Sequence, residues 1–150
     1  MGTSIGYLDG PRLRRSILAA AAWVGASRDE LNRINVFPVP DGDTGTNFTL
    51  TLKSIVDALH RLGDAPLPEV TRTVAQASVE GARGNSGMML SHFLLGFSEG
   101  IGGKARVRAH ELAAAFRRGL RDPDRPGSTR CSACPCRTAH RHVRRRPSSR

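Results

Sequence analysis

Features that the sequence lacks already narrow the class of protein. No apolar run approaches the roughly 18 residues that a membrane-spanning helix needs, so no transmembrane segment is expected. Residues 1–16 contain no hydrophobic stretch followed by a small-residue cleavage site, which argues against a secretory signal. Cysteine is confined to Cys131, Cys134 and Cys136, and in a cytoplasmic chain these thiols are not expected to form disulfides. The sequence therefore predicts a cytoplasmic protein.

The formal net charge of +10 is unevenly distributed along the 150 residues. Eight of the 23 basic residues, but only two of the 13 acidic ones, fall within residues 122–150. That stretch also holds all three cysteines and shows no apolar periodicity, so its composition cannot form a packed core. We predict a globular domain at residues 5–121 and a disordered tail, rich in Arg, Pro and Cys, at residues 122–150.

Apolar residues in the first 121 positions recur every three or four residues, which is the period of an amphipathic helix. Prolines, glycines and capping residues divide the pattern into six predicted helices, near residues 11–24, 27–34, 46–62, 66–81, 88–100 and 107–120. Asp9 is expected to start the first helix, and Ser27 with Glu30 is expected to form a capping box. No segment alternates apolar and polar residues over the length of a strand, so the predicted fold class is all-α.

The segment from Asn35 to Gly45 carries the first chemical signal. Its two prolines and two glycines preclude a helix and favour a constrained turn. The turn holds Asp41 and Asp43, and two carboxylates with Asn35 as a third oxygen donor suit a hard cation such as Mg²⁺. On spacing alone, Asp-Gly-Asp is more typical of a surface turn. An EF-hand is excluded, because neither register places a Glu at the twelfth position.

The segment at residues 35–45 and a second glycine-rich loop, residues 81–87, each lead into a predicted helix. Amides and hydroxyls at the positive, N-terminal end of a helix bind phosphate. The groups available at these starts belong to Thr44, Gly45, Thr46 and Asn47 in the first case and to Gly84, Asn85, Ser86 and Gly87 in the second. The second loop, residues 81–87, is neither a Walker A loop nor a dinucleotide fingerprint, since no Gly-Lys-Ser/Thr follows and the glycine spacing is wrong. Spacing alone permits a nucleotide site and equally a plain connection between helices.

The two motifs taken together add more. Residues 35–47, NVFPVPDGDTGTN, and residues 81–87, GARGNSG, closely resemble those of the dihydroxyacetone-kinase L-subunit-like (DhaL) domain. The subtype they resemble is the nucleotide-binding domain of bacterial fatty acid kinase, because Thr44 stands where the dihydroxyacetone kinases have a histidine. The resemblance covers residues 5–121 and implies an antiparallel helical barrel or bundle, incomplete at the C-terminus in this chain.

The resemblance also implies a set of ligand-binding residues. In that family, loops at one end of the barrel hold ATP and two Mg²⁺ ions. Metal ligands would then be Asp41, Asp43 and Asn35, and Met88 or Met89 would border the adenine. Phosphate contacts would come from residues 44–47 and 84–87, and no residue beyond these metal and phosphate ligands is expected to act in catalysis.

By the same resemblance, the chain is the kinase domain of a phosphotransferase of phospholipid metabolism. It would transfer the γ-phosphoryl group of ATP to a fatty-acid carboxylate held by a separate fatty-acid-binding carrier protein. A carboxylate is already ionised at pH 7, so this acceptor needs no general base. The isolated fragment is expected to be inactive, and a homodimer is a further candidate assembly. A dihydroxyacetone (glycerone) kinase-like phosphotransferase is the alternative within the superfamily.

Past Arg121 the resemblance is expected to end, and three interpretations of residues 122–150 remain open. A truncated or frameshifted terminus would account for the abrupt change in composition. A Zn²⁺ site would use the three cysteines with His140 and His142, although these ligands lie closer in sequence than zinc sites normally place them. An Arg-rich arm would make the chain a noncatalytic nucleic-acid-binding protein. The absence of aromatic residues for base stacking argues against nucleic acid as a partner.

Overall fold

The computed structural model describes residues 6–36 and 40–121, which form six helices. They are α1 (Gly10–Ala26), α2 (Arg28–Arg33), α3 (Thr44–Leu62), α4 (Leu67–Glu80), α5 (Gly84–Ile101) and α6 (Ala109–Gly119). Within these two ranges, β pairing is limited to a single antiparallel bridge in which Leu8 and Val107 exchange backbone hydrogen bonds of 2.8 and 3.0 Å. The predicted all-α class is confirmed. The tail at residues 122–150, with its proposed zinc ligands and Arg-rich arm, lies outside the described residues.

The capping residues of the first two helices behave differently. Asp9 caps α1 as predicted, because its Oδ1 accepts the Arg12 amide at 3.1 Å. Ser27 precedes α2, but its side chain makes no cap hydrogen bond, so the predicted capping box with Glu30 is wrong. Ser27 is also the C-cap of α1, and its φ of −93° and ψ of 8° hold the backbone away from the extended conformation that N-capping needs.

Helices α3 and α5 begin earlier than predicted from the glycines near their starts. α3 begins at Thr44 rather than residue 46, and α5 begins at Gly84 rather than residue 88, so the second turn shrinks to residues 81–83. The reason is that two glycines serve close packing rather than turning. A methyl group at Gly45 would collide with the carbonyl oxygen of Arg28, and one at Gly87 would collide with the Thr51 hydroxyl.

The core lies between α1, α3, α4 and α5. Its largest fully buried apolar side chains are Ile55, Leu59, Leu67, Val70 and Ile101, with Val107 from the segment before α6. The guanidinium Nε of Arg14 donates to the carbonyl oxygen of Leu59 at 3.1 Å, which joins the start of α1 to the end of α3.

The last helix, α6, packs on α5 and on no other helix of the described ranges. The approach is close because a Cβ at Gly100 would stand 2.6 Å from the Cα of Ala115. Phe93 and Phe97 of α5 meet Phe116 of α6 with ring centroids 5.7 and 5.3 Å apart. α6 is therefore the edge of this helical assembly. No helix in the described part of the chain has both the length and the apolar character needed to cross a membrane.

Candidate functional site

The starts of α3 and α5 lie side by side at one end of the assembly. Gly84 has a φ of +57°, and a methyl group there would collide with the side-chain amide of Asn47. Gly87 lies against the Thr51 side chain, one turn further along α3. Residues 44–47 and 84–87, which the sequence singled out separately, therefore adjoin, with Gly45 and Gly87 themselves buried between helices.

The buried Thr51 links the start of α3 to the turn before α5 by hydrogen bonds. Thr51 is fully buried, and its hydroxyl donates to the carbonyl oxygen of Asn47 at 2.8 Å. The same hydroxyl oxygen accepts the backbone amide of Arg83, at the end of the turn before α5, at 3.1 Å. Sequence analysis missed Thr51. Its spacing was a usable signal, because a residue four positions before the core residue Ile55 lies on the same, inward face of the helix.

A second missed residue holds the start of α3 from the other side. Asn32, on α2, accepts the backbone amide of Thr46 through its Oδ1 and donates to the Thr46 hydroxyl through its Nδ2, both at 3.0 Å. The Thr46 amide, expected to contact phosphate, is thus bonded within the protein. Its hydroxyl accepts from Asn32 and keeps its own proton for another acceptor.

The predicted metal ligands lie on the turn that leads into α3. The Nδ2 of Asn35 donates to the Oδ1 of Asp41 at 2.7 Å, so these two side chains are adjacent. Gly42 has a φ of +67°, which lets the chain turn sharply between the two carboxylates. Asp43 is the N-cap residue of α3, yet its side chain makes no cap hydrogen bond. Asp41 and Asp43 are both exposed to solvent.

This donor set fits Mg²⁺ in its chemistry. Two carboxylates beside an amide are hard oxygen donors, and Mg²⁺ in proteins typically uses one or two carboxylates while water and substrate phosphate complete its shell. Across residues 6–36 and 40–121, no three His, Cys, Asp or Glu side chains converge as an all-protein metal cage would require. The residues present are therefore able to form an open Mg²⁺ site, in which a substrate phosphate completes the coordination shell.

The remaining predicted residues border the same surface. Thr44 and Gly45 form the first turn of α3, and Asn85 and Ser86 form that of α5. Met88 follows on α5 with 55% of its surface exposed. The first amides of any helix have no carbonyl partner within the helix, so these two turns present donors for an anion.

An open groove of about 580 Å³ runs between α3 and α4 beside this surface. It is lined by polar side chains that include Asp57, Arg61 and Glu80, and it ends at Gly81 and Arg83. None of the predicted metal or phosphate ligands lines it.

In its fold, the chain is an all-helical domain in which two glycine-rich helix starts adjoin. It belongs to the DAK2 domain family, whose family model matches residues 38–132. This is a family of kinase-related, nucleotide-binding domains, so the resemblance seen in the two sequence motifs is confirmed.

Curated relatives match most of this chain but only part of their own length. Protein YloV of Bacillus subtilis is 38% identical over 117 residues, which cover 78% of this chain and 21% of that protein. Uncharacterized proteins of Staphylococcus saprophyticus and Staphylococcus haemolyticus are each 34% identical over 116 residues. In both cases the match covers 77% of this chain and 21% of the relative. The chain spans about a fifth of the length of these relatives.

Proposed function

We propose that this chain binds ATP with Mg²⁺ at the starts of α3 and α5, as the nucleotide-binding part of a kinase. The observation that carries the proposal is the direct contact between the two helix starts, through Asn47 and Gly84, beside the Asp41–Asp43 turn. A polyphosphate is the ligand that uses both features at once, because its phosphates accept from helix-start amides while its cation binds carboxylates.

Each group on this surface has a role in the proposal. The amides of Thr44 and Gly45 in α3 and of Asn85 and Ser86 in α5 would donate to phosphate oxygens, assisted by the side chains of Thr44 and Ser86. Gly84 and Gly87 would hold the start of α5 close to Asn47 and Thr51 of α3, so that both helix starts reach one polyphosphate. Asp41, Asp43 and Asn35 would hold Mg²⁺, and Met88 would border the adenine. Bound Mg²⁺ supplies neutralisation of the charge that develops during phosphoryl transfer.

The proposed acceptor is a fatty-acid carboxylate held by a separate carrier protein in the cytoplasm. Such an acceptor is ionised at pH 7 and needs no general base, which agrees with the composition of the site. His60, His92 and His110 lie near the end of α3, within α5 and near the start of α6, rather than among the proposed ligands. Both the carrier and a homodimer belong to the proposal for a longer protein that contains this domain.

The nucleotide site is tested by thermal melts of the full chain with ATP, with MgCl₂, with both and with neither. A ligand that binds only the folded state stabilises it by about 2.7 kcal/mol at 100 times its dissociation constant. We expect a Mg²⁺-dependent ATP shift that the double variant Asp41→Ala/Asp43→Ala loses. The control double variant Asp29→Ala/Asp64→Ala also removes two exposed carboxylates and should keep the shift. An equal shift in both double variants would contradict the proposed site.

The acceptor is a separate question and has a separate assay. A longer protein that contains this domain is supplied with ATP and Mg²⁺ and with either a carrier-bound fatty acid or dihydroxyacetone. We expect ADP and an acyl phosphate with the fatty acid alone. Phosphorylation of dihydroxyacetone instead would favour the alternative member of the superfamily, with the nucleotide site unchanged.

A further inference from the structure

Helix α3 is capped by a residue from another helix. An Asp at the N-cap position ordinarily accepts the amide of the second or third helical residue. In α3 the N-cap is Asp43 and the third helical residue is Thr46, but the Thr46 amide donates to the Oδ1 of Asn32 at 3.0 Å. The Asp43 side chain makes no cap hydrogen bond.

Helix α1 of the same chain provides the ordinary arrangement for comparison. Its N-cap Asp9 has an extended backbone, with φ of −124° and ψ of 178°, and its carboxylate accepts the amide of Arg12, the third helical residue. Asp43 has φ of −109° and ψ of −4°, which is a helical rather than an extended backbone. Two aspartates in the same helical position thus differ in whether the carboxylate turns back onto its helix.

We propose that Asn32 is a positioning residue for the metal site: by taking the Thr46 amide, it leaves the Asp43 carboxylate for Mg²⁺. The inference rests on the proposed function. If the Asn32 side chain is removed, the Thr46 amide loses its acceptor, and a change of the Asp43 backbone to the extended conformation seen at Asp9 would bring the Asp43 carboxylate onto that amide. A carboxylate drawn into the cap is then lost to the cation.

The second hydrogen bond of Asn32 supports the same role. Its Nδ2 donates to the Thr46 hydroxyl at 3.0 Å, so that hydroxyl keeps its own proton for another acceptor, which in the proposed complex would be a phosphate oxygen. Asn32 therefore serves both ligands of the proposed site without touching either.

The test measures the MgCl₂ concentration that gives half of the ATP-induced shift in Tm, and separately the Tm without ligand. Asn32→Ala is expected to raise the half-effective MgCl₂ concentration at least tenfold. Asn32→Asp keeps an oxygen acceptor for the Thr46 amide, and the Thr46 hydroxyl is able to reverse and donate to it. This variant is expected to keep the half-effective concentration at or below that of the parent chain.

The matched control is Asp9→Ala, which removes a cap from a third-position amide on α1. It should lower the unliganded Tm and leave the half-effective MgCl₂ concentration unchanged. A purely structural role for Asn32 would give the same pattern in Asn32→Ala, and that result overturns the inference. Should Asn32→Ala not fold, Asn32→Gln displaces the amide by one methylene and carries the same test.

Failure of the inference is distinguishable from failure of the proposed function. If Asp41→Ala/Asp43→Ala loses the Mg²⁺-dependent shift and Asn32→Ala does not change its midpoint, only the role of Asn32 is refuted. If neither change alters the dependence on MgCl₂, the metal site itself is refuted.

Discussion

Thr51 of α3 and Arg83, the residue before α5, are joined by a hydrogen bond in which the Arg83 amide donates to the Thr51 hydroxyl at 3.1 Å. The two residues lie 32 positions apart in the chain. Because Thr51 is fully buried and Arg83 directly precedes α5, this bond fixes the spacing of the two helix starts that form the candidate site. The geometry of the surface therefore depends on a residue that no ligand would touch.

Thr51→Val tests that dependence, since valine has nearly the same shape and lacks the hydroxyl. The Arg83 amide would lose its acceptor, and because Arg83 is itself exposed, the cost is the net contribution of one hydrogen bond, about 0.5–1.5 kcal/mol. We expect a loss of that size in the free energy of unfolding, measured with urea, and a smaller Tm shift with MgATP. Thr51→Ser retains the hydroxyl and should retain most of the shift. A valine variant with the parent's MgATP response would mean that the bond does not organise the site.

Gly84→Ala tests the contact between the helix starts directly. Gly84 combines a φ of +57° with a position where a methyl group collides with Asn47, so alanine is both strained and crowded there. We expect a loss of roughly 1–3 kcal/mol in unfolding free energy and of the MgATP shift. Gly25→Ala in α1 is the control, because nothing lies within 4 Å of a Cβ at that position. The control should be more stable than the parent by roughly 0.5–1 kcal/mol, since alanine is the better helix former.

Local sequence rules predicted the helices better than they predicted what joins them. Asp9, Gly63 and Gly81 end up at helix boundaries because capping and termination depend on neighbours in sequence. Rules that use only neighbours in sequence do not detect that Gly45 is a glycine because it packs against the carbonyl of Arg28. They treat Gly45 as a turn residue, so the predicted start of α3 is two residues late.

The site divides in the same way. Its loop residues were singled out from two contiguous motifs, and the fold brings these together. Asn32 and Thr51 were not predicted, because Asn32 bonds to a residue 14 positions away and Thr51 to one 32 positions away. Both lie outside the two motifs, residues 35–47 and 81–87, from which the site was predicted. Whether the loop residues bind ATP and Mg²⁺ is decided by the ligand experiments.

The start of α6 carries a predicted pH dependence. A hydrogen bond from Lys104, whose Nζ lies 2.8 Å from the Glu111 carboxylate, and a second one from the Arg108 amide lower the pKa of Glu111 from its ordinary value. A lowered pKa in the folded state means that the ionised carboxylate stabilises the fold above the unfolded pKa. This contribution is lost as pH falls through the folded pKa.

Lys104→Met should therefore raise the pKa of Glu111, followed by NMR titration of its side-chain carboxyl carbon. The stability difference between the parent and Lys104→Met should be present at pH 7 and should disappear at a pH below both pKa values of Glu111. Lys53→Met, which removes an exposed lysine from α3, should leave the Glu111 titration unchanged. An unchanged Glu111 titration in Lys104→Met would show that the ion pair does not persist in solution.

The contact between α5 and α6 predicts a graded response to the loss of apolar side chains. Phe97 is only 6% exposed, Phe116 is 46% exposed, and Leu120 at the end of α6 is 77% exposed. Truncating a buried phenylalanine costs about 3–5 kcal/mol, so Phe97→Ala should remove a large part of the roughly 5–15 kcal/mol that stabilises a domain. Phe116→Ala should cost clearly less, and Leu120→Ala should fall within about 0.5 kcal/mol of the parent, as surface changes do. Urea unfolding of the three variants measures the order. A Leu120→Ala loss as large as that of Phe97→Ala would mean that another surface covers the exposed face of α6 in solution.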